Sequence, residues 1–148
     1  MFGALKRAIG AGATQVKTEY AGNKNFLEGV IAACALVAAA DGDIEDAERA
    51  KISALLKNHT QLSMYPPNEV EAVADRYLRL AKDASGRAQL GREMAEVKHG
   101  PDGKRMCEDI YLAAVDIANA DGEVEPQEKA VLEKIAKVLD VNPADFQF

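Results

Sequence analysis

The sequence predicts an all-α protein, a single-domain bundle of about seven helices built around two pseudo-repeated helical hairpins. Three observations predict it. The composition is 48% apolar and 28% charged, with only 5% aromatic residues and no Trp, a balance rich in helix formers. Apolar residues recur at helical rather than alternating spacing along most of the chain. The third observation is a repeat: Ala40-Asp41-Gly42-Asp43-Ile44-Glu45-Asp46-Ala47-Glu48-Arg49-Ala50 returns as Ala120-Asp121-Gly122-Glu123-Val124-Glu125-Pro126-Gln127-Glu128-Lys129-Ala130. Six of these eleven positions are identical and three more are like-for-like, as expected of an internal duplication or a shared structural need.

At 148 residues one domain is the default, and a chain of that length buries roughly 68–70% of its unfolded surface without staples. We divide it into a basic amphipathic segment over residues 1–22 and a helical domain over 23–148. In the first segment Phe2, Leu5, Ile9, Val16 and Tyr20 share a helical stripe, while Gly3, Gly10 and Gly12 weaken the helix. Lys6, Arg7, Lys17 and Lys24 outweigh Glu19, so the segment reads as a docked first helix or a weak partner- or membrane-surface helix.

From about Asn25 to Ala40, Leu27, Val30, Ile31, Cys34 and Val37 form one apolar face. This stretch is 15 residues at its most apolar and contains Glu28, short of the ~20 a membrane-spanning helix needs. Ile52, Leu55 and Leu56 continue the pattern after the first acidic turn, to a helix end near His59. Pro66-Pro67-Asn68 opens a helix bearing Val70, Val73, Tyr77 and Leu80, with a break expected around Ser85-Gly86. Leu90, Met94 and Val97 give the next face, ended by Gly100-Pro101-Asp102-Gly103. The second hairpin follows, with Met106, Ile110, Ala113, Ala114 and Ile117 before its turn and Leu132, Ile135, Ala136 and Leu139 after it. In the tail, Asn142 is a cap and Pro143 a first helical residue, so a last turn can tuck Phe146 or Phe148 against the bundle.

The acidic turns have a structural explanation. Gly42 and Gly122 can take the left-handed backbone that ends a helix. Pro126 at a first helical position makes Glu125 a cap and Glu128 its capping-box partner, with Glu45 and Glu48 the counterparts in the first copy. Ile44 and Val124 stand where a hydrophobic staple would pack. Yet a cap needs one or two acids, whereas the turns carry Asp41, Asp43, Glu45, Asp46 and Glu48 in one and Asp121, Glu123, Glu125 and Glu128 in the other. Crowded carboxylates repel unless a cation or solvent screens them, and a hard divalent ion such as calcium takes six to eight oxygens from such sets. An EF-hand is excluded, because its sixth and twelfth positions, Gly and Glu, are here Asp46 and Ile52. If the hairpins lie side by side, the two turns can pool their ligands.

Other chemistries are less well supplied. The net charge of −6 disfavours nucleic acid as a partner. Cys34 and Cys107 show no metal or redox spacing and read as core residues of a reducing compartment. His59 and His99 lie near helix ends without a spaced partner. No apolar run of signal-peptide length follows Lys6 and Arg7, so export is not expected.

The acidic repeat, the Asn25-Phe26 helix start, the helix ends Ala40-Asp41-Gly42 and Ala120-Asp121-Gly122, and the closing Asn142-Pro143-Ala144-Asp145-Phe146 together resemble the tellurite-resistance protein TerB family over nearly the full chain. The resemblance implies an all-helical bacterial protein, cytoplasmic or peripheral to the inner membrane, without enzymatic activity, working with a TerC-like membrane protein and TerD-like proteins. It also implies metal interaction at the acidic turns, here Asp41, Asp43, Glu45, Glu48, Asp121, Glu123, Glu125 and Glu128. Asp46 in place of the Pro at 126 distinguishes the first copy. Two alternatives are a scaffold whose acidic turns are only caps, and a thiol-dependent tellurite reductase using Cys34 and Cys107.

Overall fold

The computed structural model describes residues 23–42, 44–120 and 123–147, Asp41 by its backbone only. The basic segment 1–22 and Phe148 therefore lie outside the described residues. Six α-helices are found among the described residues: α1 (Lys24–Ala38), α2 (Asp46–Asn58), α3 (Pro67–Leu80), α4 (Ala84–Glu96), α5 (Gly103–Asn119) and α6 (Pro126–Leu139). Short 3₁₀ turns follow α1, α2, α4 and α6. The tail, expected as a further helix turn, is one of them, Pro143–Phe146, with Asn142 Oδ1 accepting from Ala144 N at 3.2 Å. Phe146 is half-buried and packs on the core.

α1 is the centre of the bundle. Ten of its fifteen residues are buried, because α4, α5 and α3 all pack on it. Phe26, Ile31, Ala32, Ala33 and Cys34 have no exposed surface. The small residues at 32, 33 and 35 let neighbouring helices approach on several sides at once. At Gly29 the approach is closest, since a Cβ there would sit 2.7 Å from Ile110 Cδ1 of α5. The start of α1 is fixed by Asn23, whose Oδ1 accepts from Asn25 N and Phe26 N at 3.1 and 3.4 Å, while its carbonyl accepts from the Tyr65 hydroxyl at 2.9 Å.

The two repeated units differ in packing. α5 packs along α6, whereas α2 rests chiefly on α3. Only Ser53 and Leu56 of α2 are buried, and Ile52 and Leu55, expected on the core face, are half-buried. α2 is thus a peripheral helix. Its last turn is tied to the bundle by His59, whose Nδ1 accepts from Gln61 N at 3.1 Å and whose Nε2 lies 2.9 Å from Asp116 Oδ2 on α5.

The break between α3 and α4 falls earlier than Ser85-Gly86. α3 ends at Leu80 and α4 begins at Ala84, because Asp83 is the better cap: its Oδ1 accepts from Gly86 N at 2.7 Å and from the Ser85 hydroxyl at 3.0 Å. Ser85 and Gly86 are consequently first-turn residues. The Gly86 N–H, then the Ser85 hydroxyl, hold the Asp83 carboxyl below its ordinary pKa. A lowered folded-state pKa stabilises the fold above the unfolded carboxylate pKa and loses that stabilisation as pH falls through the folded value. Asparagine caps almost equally well without titrating. Thermal melts on the acid side of pH 5 should therefore show a smaller acid-induced loss of stability in Asp83→Asn than in the parent chain.

Candidate functional site

The first acidic turn is built by the end of α1. After Ala38 the helix tightens into the turn Ala39–Asp41 and stops at Gly42, whose φ of 114° and ψ of −107° only glycine adopts without strain. Ile44 then enters the core, 7% exposed. Its expected staple partner is absent, because the fourth position of α2 is Arg49; Ile44 packs into the core cluster directly. Glu45 is the cap residue of α2 but its side chain makes no capping hydrogen bond. Asp46 is instead paired with Arg49. In the second turn, Glu128 Oε1 accepts from Glu125 N at 3.1 Å, and Pro126 occupies the first turn of α6. The duplication in sequence therefore gives unequal caps.

The C-terminal ends of α1 and α5 meet, and with them the two repeats. A cleft of about 310 Å³ is lined by Glu48 from the first copy and by Glu123, Glu125 and Glu128 from the second. Val37, Ala38, Ile52, Leu55 and Ile117 form its apolar walls, and Lys51 lines the same cleft. Glu48, Glu123 and Glu125 are exposed and Glu128 is half-buried. Four carboxylates and one ammonium in a small cleft leave negative charge in excess, which attracts cations or basic groups over about a Debye length, ~8–10 Å at physiological salt. Glu45 is exposed at the head of α2 and does not line the cleft. Asp43 and Asp121, expected as ligands, and the Asp41 side chain lie outside the described residues. Among the described residues no group of three or more His, Cys, Asp or Glu side chains is arranged to hold a metal ion.

Lys51, Ile52, Leu55 and Ile117 of the cleft escaped the sequence reading as site residues. Ile52, Leu55 and Ile117 carried a signal only as helical apolar spacing, which marks them as core and says nothing of a cleft, and Lys51 carried none.

The cysteines are deep in the bundle. Cys34 has no exposed surface and Cys107 is 1% exposed; both are free thiols. Burial, reinforced by the Asp116 charge, pushes the Cys34 thiol up to about 12. Burial also raises Cys107, to about 11, against the opposing influence of Lys98. At neutral pH both are protonated, and the thiolate is the nucleophilic form. Among the described residues no helix is long and apolar enough to cross a membrane.

Among the described residues these features define an all-helical domain in which Glu48 of the first repeat and Glu123, Glu125 and Glu128 of the second line one cleft. The chain belongs to the TerB family: the family model described as tellurite resistance protein TerB matches residues 27–148, which gives it a tellurite-resistance-related role. The comparisons with curated proteins and with solved structures gave no match.

Proposed function

We propose that the chain serves tellurite and metal-ion stress resistance as a non-enzymatic binding module, taking a divalent cation such as calcium, and with it protein partners, through the acidic cleft. The observation that carries the reading is the convergence of Glu48 with Glu123, Glu125 and Glu128 from segments 75–80 residues apart in sequence. A cap needs one or two acids, and Glu128 supplies that of α6; Glu123 precedes that cap, and Glu45 makes no side-chain capping hydrogen bond at the head of α2, where Glu48 stands in the first turn. Three of the four carboxylates are exposed, and such an oxygen set suits a hard cation at modest affinity. Asp41, Asp43 and Asp121 are the further ligands we assign to it. Tellurite is an anion and is repelled by such a face, so the role in resistance runs through metal balance or through partners, for which a TerC-like membrane protein and TerD-like proteins are the candidates. The buried, protonated thiols support this reading over a thiol-dependent reductase.

A second reading, a scaffold without metal binding, is favoured by the Asp46–Arg49 pair and by Lys51 at the cleft, which offset part of the charge. Calorimetric titration of chelator-treated protein with calcium separates the two. The binding module predicts saturable uptake tighter than the ~1 mM end of protein calcium sites, weakened about tenfold or more in Glu48→Gln/Glu123→Gln with helicity retained. Absence of saturable uptake of calcium, magnesium or zinc supports the scaffold.

A further inference from the structure

A second concavity, sharing no residue with the acidic cleft, runs between α4 and α6 over the end of α1. It measures about 890 Å³. Its floor is apolar, with Leu36, Val131 and Val138 half-buried and Met94 and Ile135 beneath them. Along the α4 wall run Ala84, Ala88, Gly91 and Ala95, spaced four, three and four residues apart, the track of one helix face. Over that interval α4 rises roughly 16 Å, about three turns. A Cβ placed on Gly91 meets nothing within 4 Å among the described residues, so no contact there requires this mid-helix glycine, which weakens the helix carrying it.

Charge selects the occupant. In a chain of net charge −6, the lining holds Lys82, Arg87, Arg92 and Lys134 and, among the described residues, no acidic side chain. No ion pair among the described residues engages Lys82, Arg92 or Lys134. Arg87 donates to the Ala81 carbonyl at 3.0 Å, and the nearby Asp83 carboxylate is occupied as the α4 cap. Positive charge therefore stands on both walls, on the α4 side and at Lys134 of α6, along a track of small residues that admits a helix backbone closely. The basic segment 1–22, with Lys6, Arg7 and Lys17, is of the wrong sign.

We propose that this groove docks an acidic amphipathic helix of a partner protein, apolar at i, i+3, i+4 and i+7 on the floor, with Asp or Glu along both flanks meeting the cationic rim. An acyl chain fits less well, because Ala84 and Ala88 are exposed and the charge is spread along two walls rather than gathered for one headgroup.

The test is selection from displayed random peptides of about 18 residues, five helical turns, on the full chain, followed by titration of the selected peptides against Gly91→Trp and against Arg92→Glu/Lys134→Glu. The second variant changes only exposed side chains and keeps the test meaningful should the first fold poorly. The proposal expects net-negative peptides of helical apolar period, weakened about tenfold or more by either variant and by raised salt. Peptides that are basic or extended, or that bind both variants as they bind the parent, overturn it. So does saturable binding of oleate that Gly91→Trp weakens, with no helical peptide selected, which makes the groove an acyl-chain site.

Discussion

Replacing Gly86 with alanine is expected to cost the fold about 3 kcal/mol or more, the upper part of the range for overpacking. A Cβ at this position would lie 1.8 Å from the Leu80 carbonyl oxygen and 2.6 Å from its carbon. Both are backbone atoms, so no side-chain rotation relieves the clash. The turn from α3 to α4 has to open, and opening it removes the Asp83 cap from Gly86 N. A melting temperature lower by roughly 10 °C is the expected readout for a domain of this size. An unchanged melt would mean that α3 and α4 do not reverse as tightly as described. Because α4 and α6 form the walls of the cation-rimmed groove, the same substitution should weaken whatever binds there.

Gly29→Leu is the second change of large effect. Here the obstacle is a side chain, Ile110 Cδ1 at 2.7 Å from the added Cβ, with Val97 Cγ2 at 3.1 Å. An alanine can be accommodated by a shift of Ile110, and the helix gains from losing a glycine. A leucine adds three more carbons where none of Ile110, Val97 and Val30 has space, since all three are at most 3% exposed. We expect a loss of about 2–3 kcal/mol, read by denaturant unfolding. This crossing has a functional consequence. α1 leads into the first acidic turn and α5 into the second, so the distance between these helices sets whether Glu48 and Glu123 line one cleft. If the proposed function holds, Gly29→Leu should weaken calcium uptake, whereas Gly29→Ala should leave it near the parent value.

Much of the fold was legible because helical spacing and burial agree. Leu27, Val30, Ile31, Cys34 and Val37 of α1, and Leu132, Ile135, Ala136 and Leu139 of α6, were read as core and are buried. Gly42 was read as a helix-ending residue and has the positive φ that this requires. What escaped depends on competition between local signals. Ser85-Gly86 looks like a breaker, but Asp83 captures the Gly86 N–H and the helix begins before it. The packing of α2 on α3 rather than on α1 was not legible, because an apolar face does not say which neighbour covers it.

At the site, the sequence pointed to the acidic turns and the structure brings Glu48, Glu123, Glu125 and Glu128 to one cleft, while Glu45 stands apart at the head of α2 without a side-chain capping hydrogen bond. The part played by Lys51 was missed because a lysine in a helix is ordinarily solvated. The groove was missed for a related reason: Lys82, Arg87, Arg92 and Lys134 are scattered singly among acids in the sequence, and only folding gathers them around the alanine and glycine track.

The proposed function requires the two repeated turns to act together on one cation. The most direct measurement is an amide-resolved NMR titration of the chelator-treated chain with calcium, magnesium and zinc at near-physiological salt. Saturating shifts that follow one binding curve in both segments, residues 41–52 and 117–128, and are lost from both when Glu48 alone is changed to Gln, are the expected result. Shifts that do not saturate and are spread over carboxylates across the surface, or that stay confined to one turn, would contradict it.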